Sequence, residues 1–155
     1  REQFAFLREN GIATQEDMTA FQARTEDTLT GLMKRRTILN VRKKKRRALY
    51  DALADVEALA EAKRLYDEGL SGMEAEAARY TDVSALLDSC GIPRDRLAAE
   101  KVELYRQLAE LNRSIRAERK KLGLCKEVME RAPKMKQSIE KIEMKEVSHD
   151  EHRRR

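Results

Sequence analysis

Ten positions from Leu97 to Met129 alternate steps of four and three residues without a slip. They are Leu97, Lys101, Leu104, Leu108, Leu111, Ile115, Glu118, Leu122, Cys125 and Met129, and eight of the ten are apolar. This spacing returns to one face of an α-helix every seven residues, so it needs a partner along that whole face. A second stripe stands earlier in the chain. Stepping by three and four from Met18 gives Phe21, Thr25, Thr28, Leu32, Arg35, Leu39, Arg42, Arg46, Leu49, Leu53 and Val56. Its apolar members form a heptad-like seam interrupted by arginines.

Glycines punctuate the chain. Gly11 stops a short helix over residues 1–12, with Ile12 folding back onto Leu7 as in a left-handed helix end. Leu87 to Cys90, Gly91 and Ile92 repeat that grammar, and Pro93 then opens a new helix. Thr14 with Asp17, and Ser71 with Glu74, have the spacing of capping boxes. Gly69 and Gly72 mark a turn. Pro133 is expected to bend or break the heptad helix. The resulting organisation is a short helix over 1–12, a first long helix over 14–56, shorter helices over 57–91, a second long helix over 94–131, a short helix over 134–147, and a frayed basic tail over 148–155.

Two long stripes joined by short helices predict an all-α fold: an elongated, coiled-coil-like antiparallel helical hairpin with shorter helices capping one end. The two polar interruptions, Arg35 and Glu118, face each other if the arms pair so. That register puts Leu49 against Leu104 and Leu32 near Leu122. The alternative is a parallel homodimer along the second stripe.

Composition agrees with helices. Charged residues make up 39% of the 155 and aromatics 5%, with no Trp and two Pro. The mean hydropathy of −0.76 leaves seams between helices rather than a large core. No apolar run approaches the ~18 residues of a membrane span. Cys90 and Cys125 stand far apart and read as small packing residues in a reducing, cytoplasmic bacterial setting. The chain opens at Arg1 without Met, as expected of a fragment of a longer protein.

The charge is concentrated. Lys34, Arg35, Arg36, Arg42, Lys43, Lys44, Lys45, Arg46 and Arg47 fall within fourteen residues that contain no acid, in a chain of net charge +5. Everything outside that stretch is therefore net negative. Six consecutive cations, residues 42–47, cover more than one turn and surround the helix, some close to the seam with their stems laid over apolar surface. The functional reading is a phosphate clamp for DNA, with affinity and orientation but no sequence choice. The bland reading is a solvated face balanced by acids such as Asp51, Asp55 and Glu57. No aromatic residue interleaves the run, so base stacking has little sequence support.

Other candidates are weaker. His149 and His152, around Asp150 and Glu151, have helical spacing for one metal face but lack the three or four ligands zinc takes. Tyr50, Tyr66, Tyr80 and Tyr105 fall at or beside seam positions and read as packing. There is no glycine-rich phosphate loop, protected acid pair or Ser/His/Asp grouping. No catalytic residue, metal ligand or cofactor is assigned.

Three stretches carry a family resemblance: FLRENGIATQEDMTAFQARTEDTL, MKRRTILNVRKKKRRALYDALADVEAL and LLDSCGIPRDRLAAEKVELYRQLAELNRSIRAERKKLGLCKEV. With the ending DEHRRR, they resemble the helical C-terminal region of relaxase/mobilisation nuclease proteins from conjugative elements of Firmicutes. In that family an N-terminal domain nicks DNA with a tyrosine and a metal held by two histidines around an apolar residue. His149-Asp150-Glu151-His152 does not match that triplet, so no catalytic residue carries over. The resemblance implies a non-catalytic accessory region that grips DNA, contacts accessory mobilisation or coupling proteins, or oligomerises. The alternative is a coiled-coil interaction or oligomerisation module without autonomous DNA binding.

Overall fold

The computed structural model describes the backbone of residues 2–153 and the side chains of residues 2–131. It contains α1 (Glu2–Glu9), α2 (Gln15–Asp67), α3 (Glu74–Ser89) and α4 (Arg94–Arg153), and no strand among the described residues. The all-α class and the packing of the long helix α2 against α4 are those of a helical hairpin. The chain divides into two compact units. One joins the residues up to Leu32 with those from Ser114 onward, and the other is Met33–Arg113.

In the first unit, α1 folds back onto the start of α2. Gly11 takes φ +64°, the Ile12 N–H donates to the Leu7 carbonyl at 2.9 Å, and the Gly11 N–H donates to the Arg8 carbonyl at 3.3 Å. That is the expected helix end, with Leu7 and Ile12 packed on the same apolar cluster. The box at Thr14 also forms. The Asp17 N–H donates to Thr14 Oγ1 at 3.1 Å, and Asp17 Oδ2 accepts from the N–H groups of Ala13 and Thr14. These backbone donors, Ala13 first, hold the Asp17 carboxyl below its usual range. The turn thus orients Phe6 edge-on to Phe21, with ring centroids 5.4 Å apart, in a cluster completed by Met18 and the fully buried Cys125.

In the second unit, α2 and α4 run antiparallel and α3 packs beside them. Arg79 on α3 reaches Asp55 on α2 at 3.3 Å, and Arg94 opens α4 with a 3.1 Å bond to Asp88 at the end of α3. Leu97, Leu104, Leu108 and Leu111 of the heptad stripe are buried, as is Leu39 opposite. In the first unit Ile115 and Cys125 continue the buried stripe. Because the chain's own helices cover this seam, Leu104, Leu108, Leu111 and Ile115 are not an open face for a second copy.

Several boundaries differ from the sequence reading. α2 runs unbroken through Val56 to Asp67, where Gly69 at φ +94° supplies the reversal. The segment Glu57–Asp67 has no breaker, and Lys63 and Arg64 brace it with ion pairs to Asp67, Glu61 and Glu68. Ser71 does not cap α3. The N-cap is Met73, and Glu74 instead reaches back to the Gly72 N–H at 3.0 Å. α4 passes through Pro133 to Arg153. A proline removes one N–H and strains one turn, leaving the bonds of neighbouring turns available. The side chains of Met135, Ile139, Ile142, His149 and His152 lie outside the described residues, as do residues 154 and 155 altogether.

Some cross-arm contacts fall off the expected register. Arg36 meets Asn112, and Arg46 meets Glu100, where the expected register put Ala117 and Gln107 opposite. These two arginines reach roughly one to two helical turns from the expected partners, while Tyr50 contacts Glu100 and Tyr105, on either side of the expected position 103. Arg35 is exposed, and Glu118 pairs with Lys121 on its own helix at 3.1 Å. Matching polar interruptions misled because each is satisfied without the other: an exposed arginine by water, a glutamate by an i,i+3 lysine.

Burial along α4 sets unequal sensitivities. Leu104 is 3% exposed and its near neighbour Val102 is 69% exposed. Leu104→Ala is expected to cost about 2–5 kcal/mol in denaturant unfolding, while Val102→Ala stays within about 0.5 kcal/mol. Equal losses at the two positions would contradict the assigned seam.

A candidate nucleic-acid interface

All nine basic residues stand on the central part of α2, within the Met33–Arg113 unit. The helix gives them a rigid support, and α4 meets the run along two flanks. On one flank, Arg46 Nε donates to Glu100 Oε1 at 2.9 Å. The Tyr50 hydroxyl donates to the same oxygen at 2.7 Å. Tyr50 is 1% exposed, so its ring is core and only its hydroxyl is committed to a polar partner. Burial, then the bond to Glu100, pushes the Tyr50 phenol up to about 12. The same bond, then Arg46, holds the Glu100 carboxyl below its ordinary value. Arg42, Lys45, Arg46 and Glu100 line an open groove here.

On the other flank Arg36 donates to Asn112 Oδ1 at 3.2 Å. Two turns on, the Lys43 ammonium stands 5.0 Å from the centroid of the Tyr105 ring, and Lys101 stands 5.9 Å from it on the same helix as the tyrosine. Each such contact stabilises by ~0.5–1 kcal/mol at an exposed site. The Tyr50 ring backs Tyr105 at 6.3 Å.

The remaining six, Lys34, Arg35, Arg42, Lys44, Lys45 and Arg47, are exposed and have neither an ion pair nor a side-chain hydrogen bond to another described residue. Of the acids expected to balance the run, Asp55 is engaged by Arg79 on α3. Among the described residues, Glu100 is the acid that forms an ion pair with the run. The like charges at 42/46, 43/47 and 44/47 repel at i,i+3 and i,i+4 spacing, at ~0.2–0.5 kcal/mol each. The run thus opposes its own helix locally and relies on the seam for support. Ile38 and Val41 add exposed apolar surface between Lys34 and Lys45.

Sequence reasoning placed the cations on one helix but missed Glu100, Lys101, Tyr105 and Asn112. Tyr105 is 39% exposed at the edge of the seam, beside the Tyr50 ring, and Tyr66 is exposed too, whereas Tyr50 is core. The i,i+4 pair Lys101–Tyr105 was readable on α4, but bringing it to Lys43 required the correct register. Among the described residues no three His, Cys, Asp or Glu side chains are grouped to hold a metal ion, and no helix is long and apolar enough to cross a membrane. Cys125 is buried, which raises its thiol pKa, and Cys90 is half-buried with its thiol on the Leu87 carbonyl.

The Tyr50 lock has a definite pH signature. Its folded pKa lies above the unfolded value of 10, so its contribution is complete below pH 10 and lost as pH rises through about 12. Wild type is expected to lose stability relative to Tyr50→Phe across that window. Parallel unfolding curves for the two proteins would show that the phenol is not held in this way.

A scan of protein-family models, a search of curated proteins and a search of solved structures each returned no match for the chain.

Proposed function

We propose that this chain is a non-catalytic helical accessory region of a DNA relaxase/mobilisation protein that contacts DNA phosphates during conjugative transfer. The observation that carries the DNA contact is the basic segment of α2. Nine cations stand on one helix, and six of them have no ion pair or side-chain hydrogen bond with another described residue. Cations that raise the cost of their own helix and meet little internal acid suit an external polyanion. Phosphates spaced along DNA fit charges that surround a helix better than one focused acidic side chain does. The conjugative setting rests on the resemblance of the three quoted stretches.

A second reading has its own observation. Exposed Ile38 and Val41 between lysines fit an acidic amphipathic partner, such as an accessory mobilisation or coupling protein. The two readings part on one experiment. Arg42, Lys44, Lys45 and Arg47 are replaced by Gln, leaving Arg46 and Lys43 on their α4 partners. Duplex affinity at low salt is expected to fall by roughly tenfold or more, equally for unrelated sequences, because phosphate contacts carry no sequence information. Unchanged affinity, or a loss confined to one sequence, would refute the phosphate clamp. Absence of any duplex binding by wild type would favour the protein-docking reading.

A further inference from the structure

Tyr105 is not an ordinary surface tyrosine. It is 39% exposed, with the Lys43 ammonium 5.0 Å and the Lys101 ammonium 5.9 Å from its ring centroid. Behind it stands Tyr50, buried and fixed by its 2.7 Å bond to Glu100. Arg36, held by Asn112, lies on the same flank of α2 as Lys43. The ring therefore lies against a fixed group and stands among long cationic side chains.

We infer that Tyr105, between Lys43 and Lys101, is a stacking platform for an unpaired base of single-stranded DNA. The inference rests on the DNA-binding reading above and narrows it. A base that lands on the ring displaces an ammonium from the π-face. That ammonium, on a flexible stem, is then free to meet the phosphate attached to the base. Duplex DNA cannot do this, because its base faces are already stacked on each other. Stacking on a tyrosine tolerates any base, since every base has a π-face. The platform adds preference for single strands to a clamp that otherwise reads only charge.

The test uses the whole chain and three fluorescent probes: a single strand, an abasic strand of equal length and charge, and a duplex. Wild type is expected to bind the base-bearing strand about tenfold more tightly than the abasic one. Tyr105→Ala should bring that ratio to about one. Tyr105→Phe should restore the ratio, because the ring and not the hydroxyl does the stacking. Equal binding of the two single strands by wild type, or a ratio that survives Tyr105→Ala, would overturn the platform and leave the clamp standing. No binding of any probe at low salt would overturn the clamp and the platform together.

Discussion

The apolar contact between α2 and α4 is the constraint on which the other features depend. Neither helix has the local means to be stable alone along its basic or polar stretches. α2 places like charges one turn apart, and its long exposed surface gains little from burial. Leu39, Tyr50, Leu97, Leu104, Leu108 and Leu111 bury the shared face in the Met33–Arg113 unit. Each large side chain so buried stabilises by ~1.5–3 kcal/mol, more than a single like-charge pair costs. The seam therefore supports a concentration of cations that an isolated helix would resist.

That same contact decides what the cations can do. Where α4 presents Glu100, one arginine is fixed and a buried tyrosine is tied to it. Where α4 presents Asn112 and Tyr105, Arg36 and Lys43 are oriented but keep their charge available. Elsewhere on α2, Lys34, Lys44 and Lys45 are exposed to solvent. One helix thus carries three kinds of cation, set by what the neighbouring helix offers at each turn. The ion pair at Glu100 is partly solvated, so its value lies in orientation more than in stability.

Much of this was legible from the residues. The unbroken four-three spacing from Leu97 located the buried face of α4 through Cys125, because periodicity reports burial directly. Gly11 and Gly91 were read correctly as corners, since a positive φ favours a residue without a Cβ. The individual cross-arm partners were not legible. Arg35 and Glu118 looked like partners because each interrupts a seam, yet water and a local lysine satisfy them separately. That error also hid Tyr105. Its distance from the basic run in sequence made the run look free of aromatics, and the antiparallel pairing brings the two together. The Ser71 cap failed for a similar reason: the spacing was right, but Gly72 at φ +92° turns the chain so that Glu74 reaches its N–H instead.

The central claim is that the cations of α2 are held available for phosphates. Its most direct test is the salt dependence of duplex binding by the intact chain, followed from about 50 to about 200 mM salt. Six or more phosphate contacts predict a log–log slope of roughly −5 or steeper and a loss of affinity of about a thousandfold over that range. A slope near zero, with affinity kept at the higher salt, would contradict the account, because it would mean that these charges release no counterions and clamp no DNA.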